Sequence, residues 1–111
     1  MVGHTGNLAA GIKACEYADQ NLNKIITAVD QVGGITVITG DHGNVEEMIN
    51  LATGGIDTEH SNNPVPLIIH GKGLENIPLD LPAGILGDVA PTILKLMNLP
   101  QPEAMSGRPL I

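Results

Sequence analysis

A chain of 111 residues with a formal net charge of −7 fits one small domain, and its acidity argues against nucleic acid and anionic membranes as partners. One cysteine cannot form an internal disulfide, and no apolar run approaches the ~18 residues of a membrane span or follows a basic leader. These features predict a cytoplasmic protein whose core is aliphatic, because the sequence has one tyrosine and neither phenylalanine nor tryptophan.

A long helix and a strand are predicted in the first half of the chain. Apolar residues recur at three- and four-residue steps from Leu8 to Val32, and Gly33 and Gly34 end the helix. The following run, 35–39, is short and β-branched and is bounded by glycines, which is typical of a strand buried on both faces of a parallel sheet. A helix followed by such a strand predicts an α/β fold.

Further elements are predicted after this strand. Asn44 is expected to cap a short helix through about Leu51, with Glu46 and Glu47 as partners of its dipole. A polar loop leads to a second buried strand over 67–69. A helix is then expected to begin at 87–88, and the tail from residue 100 is expected to be extended.

Candidate metal ligands lie in the loops between these elements. Asp41 and His42 directly follow the first strand, at the sheet edge where α/β proteins bind ligands, and His4 and His60 lie in other Gly- or Asn-flanked loops. Aspartate and histidine without thiolate suit Mn²⁺ or Zn²⁺. An Asp-His-Gly run is also a serviceable tight turn, and each histidine alone could be structural. His70 has no companion nearby and is interpreted as structural.

Four motifs occur in order along the chain. They are residues 1–7 (Met-Val-Gly-His-Thr-Gly-Asn), 39–44 (Thr-Gly-Asp-His-Gly-Asn), 60–66 (His-Ser-Asn-Asn-Pro-Val-Pro) and 87–92 (Gly-Asp-Val-Ala-Pro-Thr). Together they resemble the closing segment of the cofactor-independent (2,3-bisphosphoglycerate-independent) phosphoglycerate mutases. The resemblance covers essentially the whole chain.

The resemblance implies a fold, a reaction and a ligand set. The fold is an alkaline-phosphatase-like α/β domain with a mainly parallel sheet flanked by helices and two Mn²⁺ ions. In this family a serine transfers the phosphoryl group between the hydroxyls of phosphoglycerate, which interconverts the 2- and 3-isomers in glycolysis and gluconeogenesis. Carried over to this sequence, His4 and His60 bind one metal, and Asp41 and His42 bind the other.

The sequence also departs from the family pattern. The family has an aspartate ligand directly before the residue matching Met1, and its nucleophilic serine, a further aspartate and the substrate-binding basic residues lie far upstream. We therefore expect residues 1–111 to be the C-terminal part of the phosphatase domain, an incomplete fragment without the nucleophile segment and the transferase domain. We expect no catalytic residue in it, no activity of the isolated chain and doubtful metal occupancy.

Two alternatives stay open. The chain could belong to another metalloenzyme of the alkaline phosphatase superfamily, such as a phosphopentomutase or a phosphoester hydrolase. It could also be a non-catalytic module that associates with a partner, or with itself, through an exposed sheet edge.

Overall fold

A computed structural model describes residues 2–78 and 80–111 and divides the chain into two units, Met1–Lys72 and Gly73–Ile111. Among the described residues, the first unit contains one long helix and both strands, and the second contains one short helix. Met1, the first residue of the first motif, lies outside the described residues. Within the described parts of the chain, no helix is both long and apolar enough to cross a membrane.

Helix α1 spans Leu8–Gln31 and confirms the predicted amphipathic helix. It follows a 3₁₀ turn over Val2–Thr5. The Asn7 side chain caps its start by accepting the backbone N–H of Ala10 at 3.0 Å. At the other end Gly33 adopts a φ of 71°, and the backbone N–H of Gly34 donates to the carbonyl of Val29 at 3.0 Å. Glycine reaches this left-handed conformation without a Cβ clash, so the helix ends where the sequence predicts.

The two strands pair antiparallel, which corrects the predicted parallel arrangement. Strand β1 is Ile35–Thr39 and β2 is Leu67–Gly71, so the second strand extends two residues beyond its predicted end. Ile35 lies opposite Gly71, and Thr39 lies opposite Leu67. A parallel pair needs a crossover, usually a helix, whereas the only helical turn in the connection is a 3₁₀ turn over Val45–Glu47. The prediction of parallel pairing is therefore wrong for these strands.

The strands are also less buried than predicted. Every residue of β1 and β2 is half-buried or exposed, and Ile68 is 50% exposed. Several apolar residues of α1 are exposed as well, including Leu8, Ile12 and Ile25. Burial on both faces of a strand requires further elements on each side of the sheet, and the first unit supplies one helix.

The helix predicted over 44–51 does not form. Only the 3₁₀ turn at Val45–Glu47 is helical, because the chain reverses soon afterwards and Ile49 forms an antiparallel bridge with Ile56. The Asn50 side chain accepts the backbone N–H groups of residues 52 and 53 at 3.0 and 3.1 Å, which stabilises the turn in place of a continued helix. Met48 is 1% exposed and is the most buried apolar residue of this unit.

The second unit is built around a short helix and an extended tail. A 3₁₀ turn over Leu86–Asp88 leads into α2, Val89–Leu96, within two residues of the predicted start. The tail has no regular structure, as predicted, and returns to the helix. There the Thr92 hydroxyl accepts the backbone N–H of Leu110 at 3.0 Å. Thr92 is fully buried and Leu110 is 6% exposed, so the tail closes a small core.

A carboxylate stabilises this second unit. Asp88 is 4% exposed and accepts the backbone N–H of Arg108 at 2.8 Å and that of Ile85 at 3.0 Å. These two hydrogen bonds, the Arg108 bond first, hold the pKa of Asp88 below its usual range. The aspartate of the 87–92 motif therefore has a structural role in this unit.

Candidate metal centre

Three loops of the first unit carry the predicted ligands. His4 lies in the 3₁₀ turn before α1, Asp41 and His42 follow the end of β1 after one glycine, and His60 lies in the long connection that leads to β2. Each ligand therefore adjoins a regular element or a loop fixed by hydrogen bonds. The loops are brought together although 54 residues separate His4 from Thr58, the residue whose carbonyl it contacts.

The structure places three of the predicted side chains next to one another. The imidazoles of His42 and His60 stack with ring centroids 3.6 Å apart and an interplanar angle of 19°. The ring of His4 lies 5.1 Å from that of His60 at 44°. Asp41 is 88% exposed, and its Oδ2 lies 3.5 Å from Nε2 of His42. All four candidates therefore belong to one cluster.

Hydrogen bonds to carbonyls select the tautomer of two of these imidazoles. Nδ1 of His4 lies 2.7 Å from the carbonyl oxygen of Thr58, and Nδ1 of His42 lies 3.1 Å from that of Gly43. A carbonyl oxygen only accepts, so each Nδ1 must carry the proton. The Nε2 lone pair of His4 is then free, which is how a metal-binding histidine is commonly oriented. Nε2 of His42 instead faces the carboxylate of Asp41 at 3.5 Å.

The donor chemistry fits a divalent metal, although the rings do not converge on one point. Imidazole nitrogens and a carboxylate oxygen suit a borderline cation such as Mn²⁺ or Zn²⁺. Within residues 2–78 and 80–111, no group of three or more histidine, cysteine, aspartate or glutamate side chains is arranged to hold a metal ion. The cluster therefore brings suitable donors close together without the convergent arrangement of a complete metal centre.

Glu46 organises the loops of the cluster, a role that the sequence analysis does not predict. Its carboxylate accepts the backbone N–H of Asn44 at 2.8 Å, the hydroxyl of Ser61, and the amide of Asn63 at 3.3 Å. These bonds, with the Ser61 hydroxyl first, lower the pKa of Glu46 from 4.5 to about 2. The sequence predicts a helix-dipole partner here. In the sequence, the polar residues that follow His60 are the feature that could have indicated a contact between the two loops.

His70 has a partner outside the cluster. Its Nε2 lies 3.0 Å from Oδ2 of Asp30, which joins β2 to the end of α1. Both side chains are partly exposed, at 47% and 41%. This contact is consistent with the structural role predicted for His70.

Comparison with known proteins gives a family and several relatives. The family model of the metalloenzyme superfamily matches residues 1–101 of this chain. Over all 111 residues, the sequence is 50% identical to a 2,3-bisphosphoglycerate-independent phosphoglycerate mutase of Agrobacterium fabrum (strain C58) and 52% identical to one of Cereibacter sphaeroides (strain ATCC 17025). The chain spans 21% of the length of each.

A solved structure is similar as well. It is a crystal structure of Leishmania mexicana phosphoglycerate mutase at low cobalt concentration, which matches 97% of this chain with a TM-score of 0.81 and 36% sequence identity. The match covers 22% of that chain. These similarities confirm the predicted resemblance and the alkaline-phosphatase-like α/β fold class.

Proposed function

Because this chain belongs to the metalloenzyme superfamily, we propose that it supplies metal ligands to a phosphoglycerate mutase that interconverts 2- and 3-phosphoglycerate. The juxtaposition of three imidazoles from three loops is the observation that supports this function most strongly. The relatives named as mutases favour this reaction over those of a phosphopentomutase or a phosphoester hydrolase. Residues 1–111 would then form the C-terminal part of the phosphatase domain of a cytoplasmic enzyme.

We assign the ligands in two pairs. His4 and His60 would hold one Mn²⁺, and Asp41 and His42 would hold the second. The free Nε2 of His4 and the nearby carboxylate of Asp41 support these roles. Divalent cations bound here would supply positive charge that stabilises the attacking and leaving oxygens of an in-line phosphoryl transfer.

The side chains of this chain have distinct tasks in such a transfer. The hydrogen bond between Nδ1 of His4 and the carbonyl of Thr58 fixes the ring so that Nε2 would be available to a metal ion. The exposed carboxylate of Asp41 adds the negative charge that a cation site needs. None of these residues is a nucleophile, and we assign no catalytic residue to the chain.

A segment exchange tests this function. We would replace the corresponding segment of the Agrobacterium fabrum relative with this chain and measure phosphoglycerate interconversion. We expect an active chimera whose His42→Ala variant loses more than about 100-fold in rate, because losing a ligand should exceed the 10–100-fold effect of a ligand's supporting partner. Lys13→Ala, on the exposed side of α1, is the control and should keep the rate. A folded chimera without interconversion would contradict the proposal.

The isolated chain should be inactive and should bind Mn²⁺ weakly. It covers about a fifth of the relatives' length, and the cluster holds one carboxylate ligand candidate. Calorimetric titration with Mn²⁺ should therefore give an affinity weaker than micromolar. Interconversion by the purified chain that His42→Ala abolishes, or micromolar binding of Mn²⁺, would show that these residues are more self-sufficient than we propose.

A second candidate function is association without catalysis. Large apolar side chains are exposed in the first unit, notably Val32 at 83%, Ile56 at 67% and Ile68 at 50%. Exposed apolar surface and open strand edges favour binding to another chain or to a second copy. Light scattering should then show a mass that rises with concentration, whereas a monomer at all concentrations would remove this candidate.

A further inference from the structure

We propose that Glu46 is a positioning residue that holds His42 beside His60. Its partners are Asn44, Ser61 and Asn63, and we call these four residues the Glu46 cluster. The consequence for metal binding rests on the proposed function, whereas the effect on the two rings does not.

The carboxylate joins two segments that are 15 to 17 residues apart. On one side Glu46 accepts the backbone N–H of Asn44 at 2.8 Å. On the other side the same carboxylate accepts the hydroxyl of Ser61 and the amide of Asn63. No strand or α-helix lies between the two segments, so these side-chain hydrogen bonds act together with backbone bonds to hold them close.

The backbone carries this approach to the two imidazoles. The N–H of Ser61 donates to the carbonyl of Gly43 at 3.0 Å, and the two residues form an isolated antiparallel bridge. His42 directly precedes Gly43, and His60 directly precedes Ser61. The bridge therefore places the two histidines side by side, consistent with the 3.6 Å between their ring centroids.

Close packing at Gly43 shows how little space the bridge leaves. Gly43 is buried, and a Cβ there would collide with the hydroxyl of Ser61 and with the carboxylate of Glu46. A larger residue could not occupy this position without separating Glu46 from Ser61. The contact between the two loops is therefore tight as well as hydrogen-bonded.

The same cluster reaches the turn that carries His4. The side-chain amide of Asn44 donates to the carbonyl of Glu59 at 2.9 Å, and its oxygen lies where a Cβ of Gly3 would be. Asn44 therefore contacts both the turn before α1 and the loop before His60. All three imidazoles are next to segments that the Glu46 cluster joins.

Replacing Glu46 tests this role in the 111-residue chain. Glu46→Ala removes every contact of the carboxylate, and Ser61→Ala removes the hydroxyl that it accepts. Glu47→Ala is the matched control, because the Glu47 carboxylate has only a 3.3 Å contact with Asn63. Glu46→Gln keeps one acceptor oxygen and should therefore retain part of the positioning role that Glu46→Ala loses.

Two measurements report on the variants, and circular dichroism verifies that each is folded. The first is the nuclear Overhauser effect between the ring protons of His42 and His60 without metal, which should fall at least about fivefold in Glu46→Ala, since this signal decreases steeply with ring separation. The second is Co²⁺ affinity, read from the visible absorption of the bound ion. It should fall about 10–100-fold, as expected when a group that orients a ligand is lost.

The outcomes separate this inference from the proposed function. A ring-to-ring signal that persists in folded Glu46→Ala and Ser61→Ala overturns the positioning role. An equal loss in Glu47→Ala also overturns it, because the effect would then not be specific to Glu46. A ring-to-ring signal that depends on Glu46 supports the positioning role whether or not the isolated chain binds Co²⁺. The ligand assignment fails separately, if the folded chimera does not interconvert phosphoglycerates.

Discussion

Each unit of this protein contains a carboxylate that accepts backbone N–H groups, but the two carboxylates have different surroundings. Asp88 of the second unit is 4% exposed and lies next to the fully buried Thr92. Glu46 of the first unit is exposed, and its partners belong to loops. The pKa of both groups is lowered, for the same reason, by hydrogen bonds to the charged form.

The difference shows how burial determines what a carboxylate contributes. A buried charge must be fully hydrogen-bonded, so Asp88 is tied to the integrity of its unit, including the tail that Arg108 belongs to. An exposed carboxylate is solvated whether or not it is bonded. Glu46 should therefore affect the arrangement of the loops more than the stability of the fold.

The largest expected effect is loss of apolar burial in the second unit. Leu110→Ala should lower the free energy of unfolding by about 2–5 kcal/mol, because Leu110 is 6% exposed and its truncation leaves a cavity. Urea denaturation measures this change. Leu51→Ala is the control. Because Leu51 is 97% exposed, its replacement should change the free energy of unfolding by no more than about 0.5 kcal/mol. Equal effects of the two variants would show that the tail does not form a core.

A smaller effect is expected at the hydroxyl beside Asp88. Thr92→Val should lower the free energy of unfolding by about 1–3 kcal/mol, because the buried N–H of Leu110 then loses its acceptor. The Thr92 hydroxyl also donates to the carbonyl of Asp88 at 2.7 Å. Thr27→Val is the control, because it removes an exposed hydroxyl that donates one hydrogen bond to the carbonyl of Asn23. It should change the free energy of unfolding by no more than about 0.5 kcal/mol. A neutral Thr92→Val would contradict the importance of this contact.

A local effect is expected at the tight bridge of the first unit. Gly43→Ala should separate Glu46 from Ser61, since the added Cβ collides with both. We expect the amide resonances of Asn44 and Ser61 to shift while the helical circular dichroism is unchanged. Gly87→Ala is the control, because its Cβ would meet atoms no closer than 3.5 Å. Unchanged resonances in Gly43→Ala would show that the bridge has spare room.

The mildest perturbation is a change of pH. The folded-state pKa of Glu46 is about 2 and its ordinary value is 4.5, so its stabilising contribution is present above pH 4.5 and is lost as the pH falls toward 2. The amide resonance of Asn44 should therefore keep its neutral position at pH 3. The sign is the same for Asp88, whose pKa is also lowered, and the amide resonances of Arg108 and Ile85 should report its titration. An Asn44 titration centred near 4.5 would contradict the Ser61 contact.

The sequence predicts the ends of α1 and β1 and the donor chemistry of the candidate ligands. Regular apolar spacing from Leu8 onward and the glycines after the helix act within a few residues, so their outcome does not depend on the rest of the fold. The donor types of His4, Asp41, His42 and His60 are likewise properties of the side chains themselves. The resemblance to the mutases lies in short motifs of the same kind.

Only the tertiary structure decided how the strands pair and which contacts hold the cluster. The antiparallel register and the contacts of Glu46 with Ser61 and Asn63 join residues that local patterns do not relate. The predicted helix after Asn44 is replaced by a 3₁₀ turn because the chain reverses and Ile49 pairs with Ile56. Local propensity is sufficient for α1 and β1, whereas contacts between residues distant in sequence decide the turn after Asn44 and the arrangement of the elements.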